Sequence, residues 1–181
     1  MRKVFEYSHL GGLEILKVRY PEIDREIDEV IAAVKVSGKS KVSREKARSG
    51  KLLYSPREIN LGFKREFEKR GYEELKDSYE LMTYDEKQRI RAFKQIDFVK
   101  GRVLVEVQLG KYAFMFYDLA KFQYFYNKDK ADVGVEIVPC YYLHRQMSTG
   151  VSYGEQLIYD IKRLQRNFPS VPIKVIFIDV D

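Results

Sequence analysis

Gln95-Ile96-Asp97-Phe98-Val99-Lys100-Gly101-Arg102-Val103-Leu104-Val105-Glu106-Val107-Gln108-Leu109-Gly110-Lys111-Tyr112 is the most informative stretch of the chain. Two runs rich in β-branched and aromatic residues flank the turn-prone Lys100-Gly101 pair, which predicts two strands joined by a tight turn. Side chains alternate along a strand, so Glu106 and Gln108 share one face while Val105, Val107 and Leu109 share the other. Burying a carboxylate and an amide in so apolar a strand costs free energy unless a cation or water pairs with them. Asp97, across the turn, brings a second carboxylate to the same edge. Two carboxylates and a backbone carbonyl form the hard, oxygen-rich donor set that Mg²⁺ takes together with water and phosphate oxygens. On the motif alone, a solvated strand face decorated with charge explains the same letters.

Outward from this hairpin the second half of the chain reads β-β-α-β-α-β. Ala113–Tyr126 is apolar and aromatic nearly all round, as in a helix buried on more than one side; core packing or a subunit interface explains its rings better than base stacking does. Val133–Pro139 and Ile173–Val180 read as strands. Ser152-Tyr153-Gly154-Glu155 has the form of a capping box, opening a helix with Leu157, Ile158, Ile161 and Leu164 inward. Upstream, Pro21 starts a helix lined by Ile23, Ile27, Val30, Ile31 and Val34 and ended by Gly38. Ser55-Pro56-Arg57-Glu58 caps another, carrying Ile59, Phe63 and Phe67 up to Gly71. Residues Tyr72 to Arg91 read as a charged connection with short helix. The expected class is α/β, a central mixed sheet flanked by helices with a mostly helical N-terminal half.

The 181 residues suit a single domain, 1–181,. A 45% apolar content with 14 Tyr and 11 Phe excludes global disorder,. The one cysteine, Cys140, lies in an apolar run and reads as a buried hydrophobe, and no intrachain disulfide is possible,. No stretch has the apolar length of a membrane span and no h-region opens the chain, which points to the cytoplasm. His9 and His144 lack partners at zinc spacing. The formal charge is +6, which suits a polyanionic partner. Charge concentrates at about 37–51, where Lys39, Lys41, Arg44, Lys46, Arg48 and Lys51 face only Glu45. This reads as a basic arm, either a solvated loop or a segment that contacts DNA phosphates and orders on binding.

The 95–112 stretch resembles the active-site hairpin of the BglII/BstYI family of type II restriction endonucleases, in which glutamine stands where related nucleases carry lysine. The likeness extends through Tyr7-Ser8-His9-Leu10, Leu53-Tyr54-Ser55-Pro56 with Asn60, Asp132-Val133-Gly134-Val135-Glu136-Ile137 and Met147-Ser148-Thr149-Gly150. It implies a restriction-endonuclease-like core. It further implies a homodimer that cuts double-stranded DNA at a palindrome centred on GATC, leaving 5′ overhangs, with a companion methyltransferase in the host. Asp97, Glu106 and Gln108 would be catalytic, with Asp97, Glu106 and the Val107 carbonyl binding Mg²⁺. Lys111, Ser148 and Thr149 would read bases, while Lys39, Lys41 and Arg44 would meet DNA through the arm. The shortened segment between Gly71 and Gln95 leaves the family's additional active-site residue unassigned, Glu73 and Glu74 being candidates. A binding module that has lost cleavage and a structure-specific junction nuclease are the alternatives.

Overall fold

The computed structural model describes residues 1–180. Its centre is a six-stranded mixed sheet in the order β1-β8-β7-β6-β5-β4. The middle of that sheet is β6 (Val103–Val107), β7 (Val133–Pro139) and β8 (Ile173–Asp179), mutually parallel. Every residue of β6 and β7 is buried, as expected for parallel strands covered on both faces,. β1 (Arg2–His9) adds antiparallel to β8, and β5 (Arg89–Lys100) adds antiparallel to β6. β4 (Glu73–Met82) completes the far edge.

Register and packing divide the helices between the two faces. Phe98, Val105, Val135 and Lys174 share one face. Above it lie α2 (Pro21–Ala33) and α3 (Pro56–Glu68): Asp24 of α2 accepts from Lys174 at 2.6 Å, and Phe67 of α3 stacks on Phe98 at 4.5 Å. Glu106, Gly134, Glu136 and Phe177 face the other way. There α4 (Tyr112–Asn127) lays Phe122 on Gly134, and α6 (Gly154–Leu164) brings Gly154 against the Phe177 ring. α1 (Gly12–Arg19) meets the strand end so closely that a Cβ on Gly12 would sit 2.2 Å from the Ile173 carbonyl carbon. Short α5 (Tyr141–His144) follows β7.

The mixed sheet with flanking helices matches expectation, and so do both strands of the 95–107 hairpin. Ser55 caps α3 by accepting from the Glu58 backbone N–H. Several local readings need correction. Residues 72–91 contain no helix but most of a long β4–β5 hairpin, in which Leu75, Asp77 and Tyr79 are half-buried at period two. Their charged neighbours belong to an edge strand, where charge discourages pairing with other chains. β1, at the opposite edge, hides its strand pattern in the same way. The 152–155 capping box does not form: Ser152 donates to the Gly110 carbonyl and the Glu155 carboxylate accepts from the Tyr141 N–H. Leu164 is 43% exposed, at the frayed end of α6. α2 stops at Ala33, because Val34 turns extended to enter the core before Gly38 is reached. α4 is buried on one side only, by Met115, Leu119, Phe122 and Phe125. Phe114 and Tyr117 on its other side are 55% and 44% exposed.

The arm at 37–51 holds regular structure. β2 (Lys41–Val42) pairs with β3 (Leu52–Leu53), a 3-10 turn spans 46–48, and Leu53 is fully buried. One apolar anchor and a backbone ladder suffice to order a segment whose side chains show no periodicity.

Candidate active site

β5 and β6 pair from Lys100↔Val103 to Phe98↔Val105. One step further, on the opposite face from buried Phe98 and Val105, come Asp97 and Glu106, at the point where the two strands part. Asp97 is exposed; Glu106 is 3% exposed beneath α4. Parallel pairing places Glu136 of β7 beside Glu106 on that face. Helix α4 then contributes two residues that the motif did not reveal. Lys121 Nζ lies 2.5 Å from Glu106 Oε1 and 2.8 Å from Asp118 Oδ1. Asp118 Oδ2 in turn accepts from Gln108 Nε2 at 2.6 Å, and Gln108 Oε1 accepts from the Gly110 N–H. A Cβ on residue 110 would stand 2.7 Å from that Oε1, so a larger residue there would push the folded-back amide aside.

Negative charge is in excess. Four carboxylates, Asp97, Glu106, Asp118 and Glu136, interact around Lys121. Burial, then the charge of Asp118, outweighs the pull of Lys121 and pushes Glu106 up to about 8, with Asp97 adding to the rise. Asp118 is raised chiefly by burial, against Lys121 and Gln108. Burial, with Asp118 and Glu106, holds Glu136 well above the usual carboxylate range, and among the described residues neither of its oxygens has a hydrogen-bond partner. This is an environment short of positive charge, and a divalent ion fits it electrostatically. No cluster of three or more His, Cys, Asp or Glu suited to a metal occurs among the described residues. Asp97, Glu106 and the Val107 carbonyl could hold such an ion with water and phosphate oxygens completing its shell.

Beside Asp97 opens a cleft of about 510 Å³, lined also by Gln95 and Val107, by Glu74 of β4 and by Arg57, Asn60 and Lys64 of α3. Of the two candidates from 71–95, Glu74 reaches this cleft and Glu73 does not line it. Asn60 of α3, outside the 71–95 segment, also lines it.

A second group of residues converges around Gly110. Both the N–H and the hydroxyl of Ser152 donate to its carbonyl, which ties the 148–152 loop to exposed Lys111 at the start of α4. The arm closes over the same loop. Lys41 Nζ donates to Ser148 Oγ at 2.6 Å, Thr149 N–H donates to Glu45 at 2.9 Å, and Arg48 donates to the Met147 carbonyl. Arg44 is exposed, and the Lys39 ammonium stands 5.4 Å over the Tyr54 ring. His9 pairs with the Pro169 carbonyl and Cys140 is buried and unbridged, so neither takes part.

A family model described as restriction endonuclease BglII/BglIII matches residues 4–178. This chain belongs to that family. The BglII/BglIII family consists of type II site-specific nucleases, and membership makes the chain one of them. No curated protein matches it. Among solved structures, restriction endonuclease BglII complexed with a DNA 16-mer superposes with a TM-score of 0.78 at 21% identity, covering 100% of this chain and 79% of that one. Free BglII gives 0.67 at 20% identity, covering 100% and 81%. At such identities the structural likeness speaks for a shared fold. Restriction endonucleases of this family work in general with a divalent metal.

Proposed function

We propose that the protein is a Mg²⁺-dependent restriction endonuclease that cleaves both strands of DNA at a palindrome centred on GATC and leaves 5′ overhangs. The observation that carries this reading is the nearness of Asp97 to Glu106 where β5 leaves β6, with Asp97 also lining a cleft that holds Arg57 and Lys64. Asp97, Glu106 and the Val107 carbonyl hold the ion. When bound, Mg²⁺ supplies charge for the phosphorane-like transition state and lowers the pKa of water. Arg57 and Lys64 attract the scissile phosphate into the cleft, and Asn60 and Glu74 offer further polar contacts beside it. Gln108 cannot shuttle a proton as an amine does. With one Nε2 hydrogen given to Asp118 and Oε1 occupied by Gly110, it has one donor left to orient water or a phosphate oxygen.

Lys111 and the Ser148–Thr149 loop read base edges, and Lys39, Lys41 and Arg44 contact phosphates. Residues 1–181 act as one domain, two copies of which form a symmetric dimer on the two-fold site, each cutting one strand. The exposed aromatic side of α4, with Phe114 and Tyr117, suits the contact between copies. Within the described residues no helix is long and apolar enough to cross a membrane, and the enzyme works in the cytoplasm alongside a methyltransferase that protects host sites.

Incubation with a plasmid of known sequence in Mg²⁺ or in Ca²⁺, followed by mapping of fragment ends, tests the reading. Mg²⁺-dependent staggered ends at GATC-centred sites are expected. Site-specific binding without cleavage would identify a non-cleaving module instead, and cutting governed by DNA branching a junction nuclease.

A further inference from the structure

We propose that Lys121 is the resident cation of the catalytic site, a positioning residue that holds the Glu106 and Asp118 carboxylates in place before metal binds and gives up part of that role when it does. The proposal rests on the reading of Asp97 and Glu106 as metal ligands. Position 108 carries an uncharged amide, so the β5–β6 hairpin brings no cation of its own to Glu106. The Lys121 side chain is 11% exposed and reaches across from α4 to both carboxylates, at 2.5 Å and 2.8 Å. Among the described residues it is the one cation ion-paired with either. The other deeply buried lysine, Lys174, serves Glu6 and Asp24 on the opposite face of the sheet.

Three consequences follow from that geometry. Glu106 Oε1 is occupied by the ammonium, which leaves Oε2 for an entering ion. Asp118, one helical turn before Lys121, pins both the ammonium and the Gln108 amide, so the orientation of Gln108 depends on the same ion-pair network. A divalent ion arriving beside Glu106 meets a fixed positive charge and binds against it, which makes Lys121 a brake on metal affinity as well as a support for the empty site.

Calorimetric titration with Ca²⁺ alone at pH 9, together with thermal melting in a chelator, separates these roles in wild type and Lys121→Met. Removing the ammonium leaves buried carboxylates without their partner, and the metal-free melting temperature falls by on the order of 10 °C. Ca²⁺ then binds about tenfold more tightly than to wild type and restores most of the lost stability. Equal or weaker Ca²⁺ affinity in a folded variant overturns the proposal. Should the variant not fold, ¹⁵N NMR of the wild-type lysine ammonium groups decides: one solvent-protected ammonium resonance should shift as Ca²⁺ saturates the site. Its failure to respond overturns the proposal while wild-type Ca²⁺ binding upholds the metal reading. Absence of any Ca²⁺ binding by wild type removes the metal reading and this proposal with it.

Discussion

Glu106 carries opposing demands at a single residue. Burial and the charges of Asp118 and Asp97 raise its carboxyl to about 8, so the folded metal-free chain keeps a proton that the unfolded chain releases near 4.5. The folded state therefore binds more protons across that interval. The stability due to this group is fully present below the unfolded value and is lost as pH rises through 8. Urea midpoints in a chelator should fall between pH 6 and 9, with a shallower fall in Glu106→Gln; identical slopes would show that Glu106 does not titrate there. Cleavage should disappear in Glu106→Gln and in Asp97→Asn, each still folded by circular dichroism. Lys111→Ala should weaken preference for the cognate site by ~1–3 kcal/mol, read as the ratio of cognate to random-DNA affinity. An equal loss on both DNAs would make Lys111 a phosphate contact.

At the scale of elements, close approach and charge decide the outcomes. Gly12 at the start of α1 lies against the β8 backbone, where no flexible side chain can yield. Gly12→Ala should cost about 3 kcal/mol or more in denaturant unfolding, because strand and helix must move apart. The arm is a ribbon bound to the 147–149 loop through Lys41, Glu45 and Arg48, so the proposed phosphate contacts and the proposed base reading share one surface. Replacing Lys39, Lys41, Arg44 and Lys46 with glutamine should flatten the dependence of DNA affinity on salt, since fewer counterions are released. An unchanged slope would place the phosphate contacts elsewhere.

For the whole molecule, the proposed dimer and the palindrome stand together. Phe114→Glu combined with Tyr117→Glu should convert the protein to a monomer by sedimentation and abolish double-strand cleavage without unfolding it. A variant that stays dimeric would move the interface to another face.

The two core strands of the hairpin, the helices opened by Pro21 and Ser55, and the nearness of Asp97 to Glu106 were legible in the sequence. Each depends on short-range periodicity, capping chemistry or the alternation of a strand. The edge strands β1 and β4 were not, because an edge with solvent on one side needs little apolar content and its charges mask period two. Likewise hidden were Asp118 and Lys121, which sit at ordinary spacing within an aromatic helix. Their role arises only when the crossover from β6 to β7 sets α4 over the carboxylate face. The sequence by itself determined which strand carries the proposed site; the tertiary structure decided which cation, helix and cleft surround it, since long-range packing alone brings residues 118, 121 and 136 to Glu106.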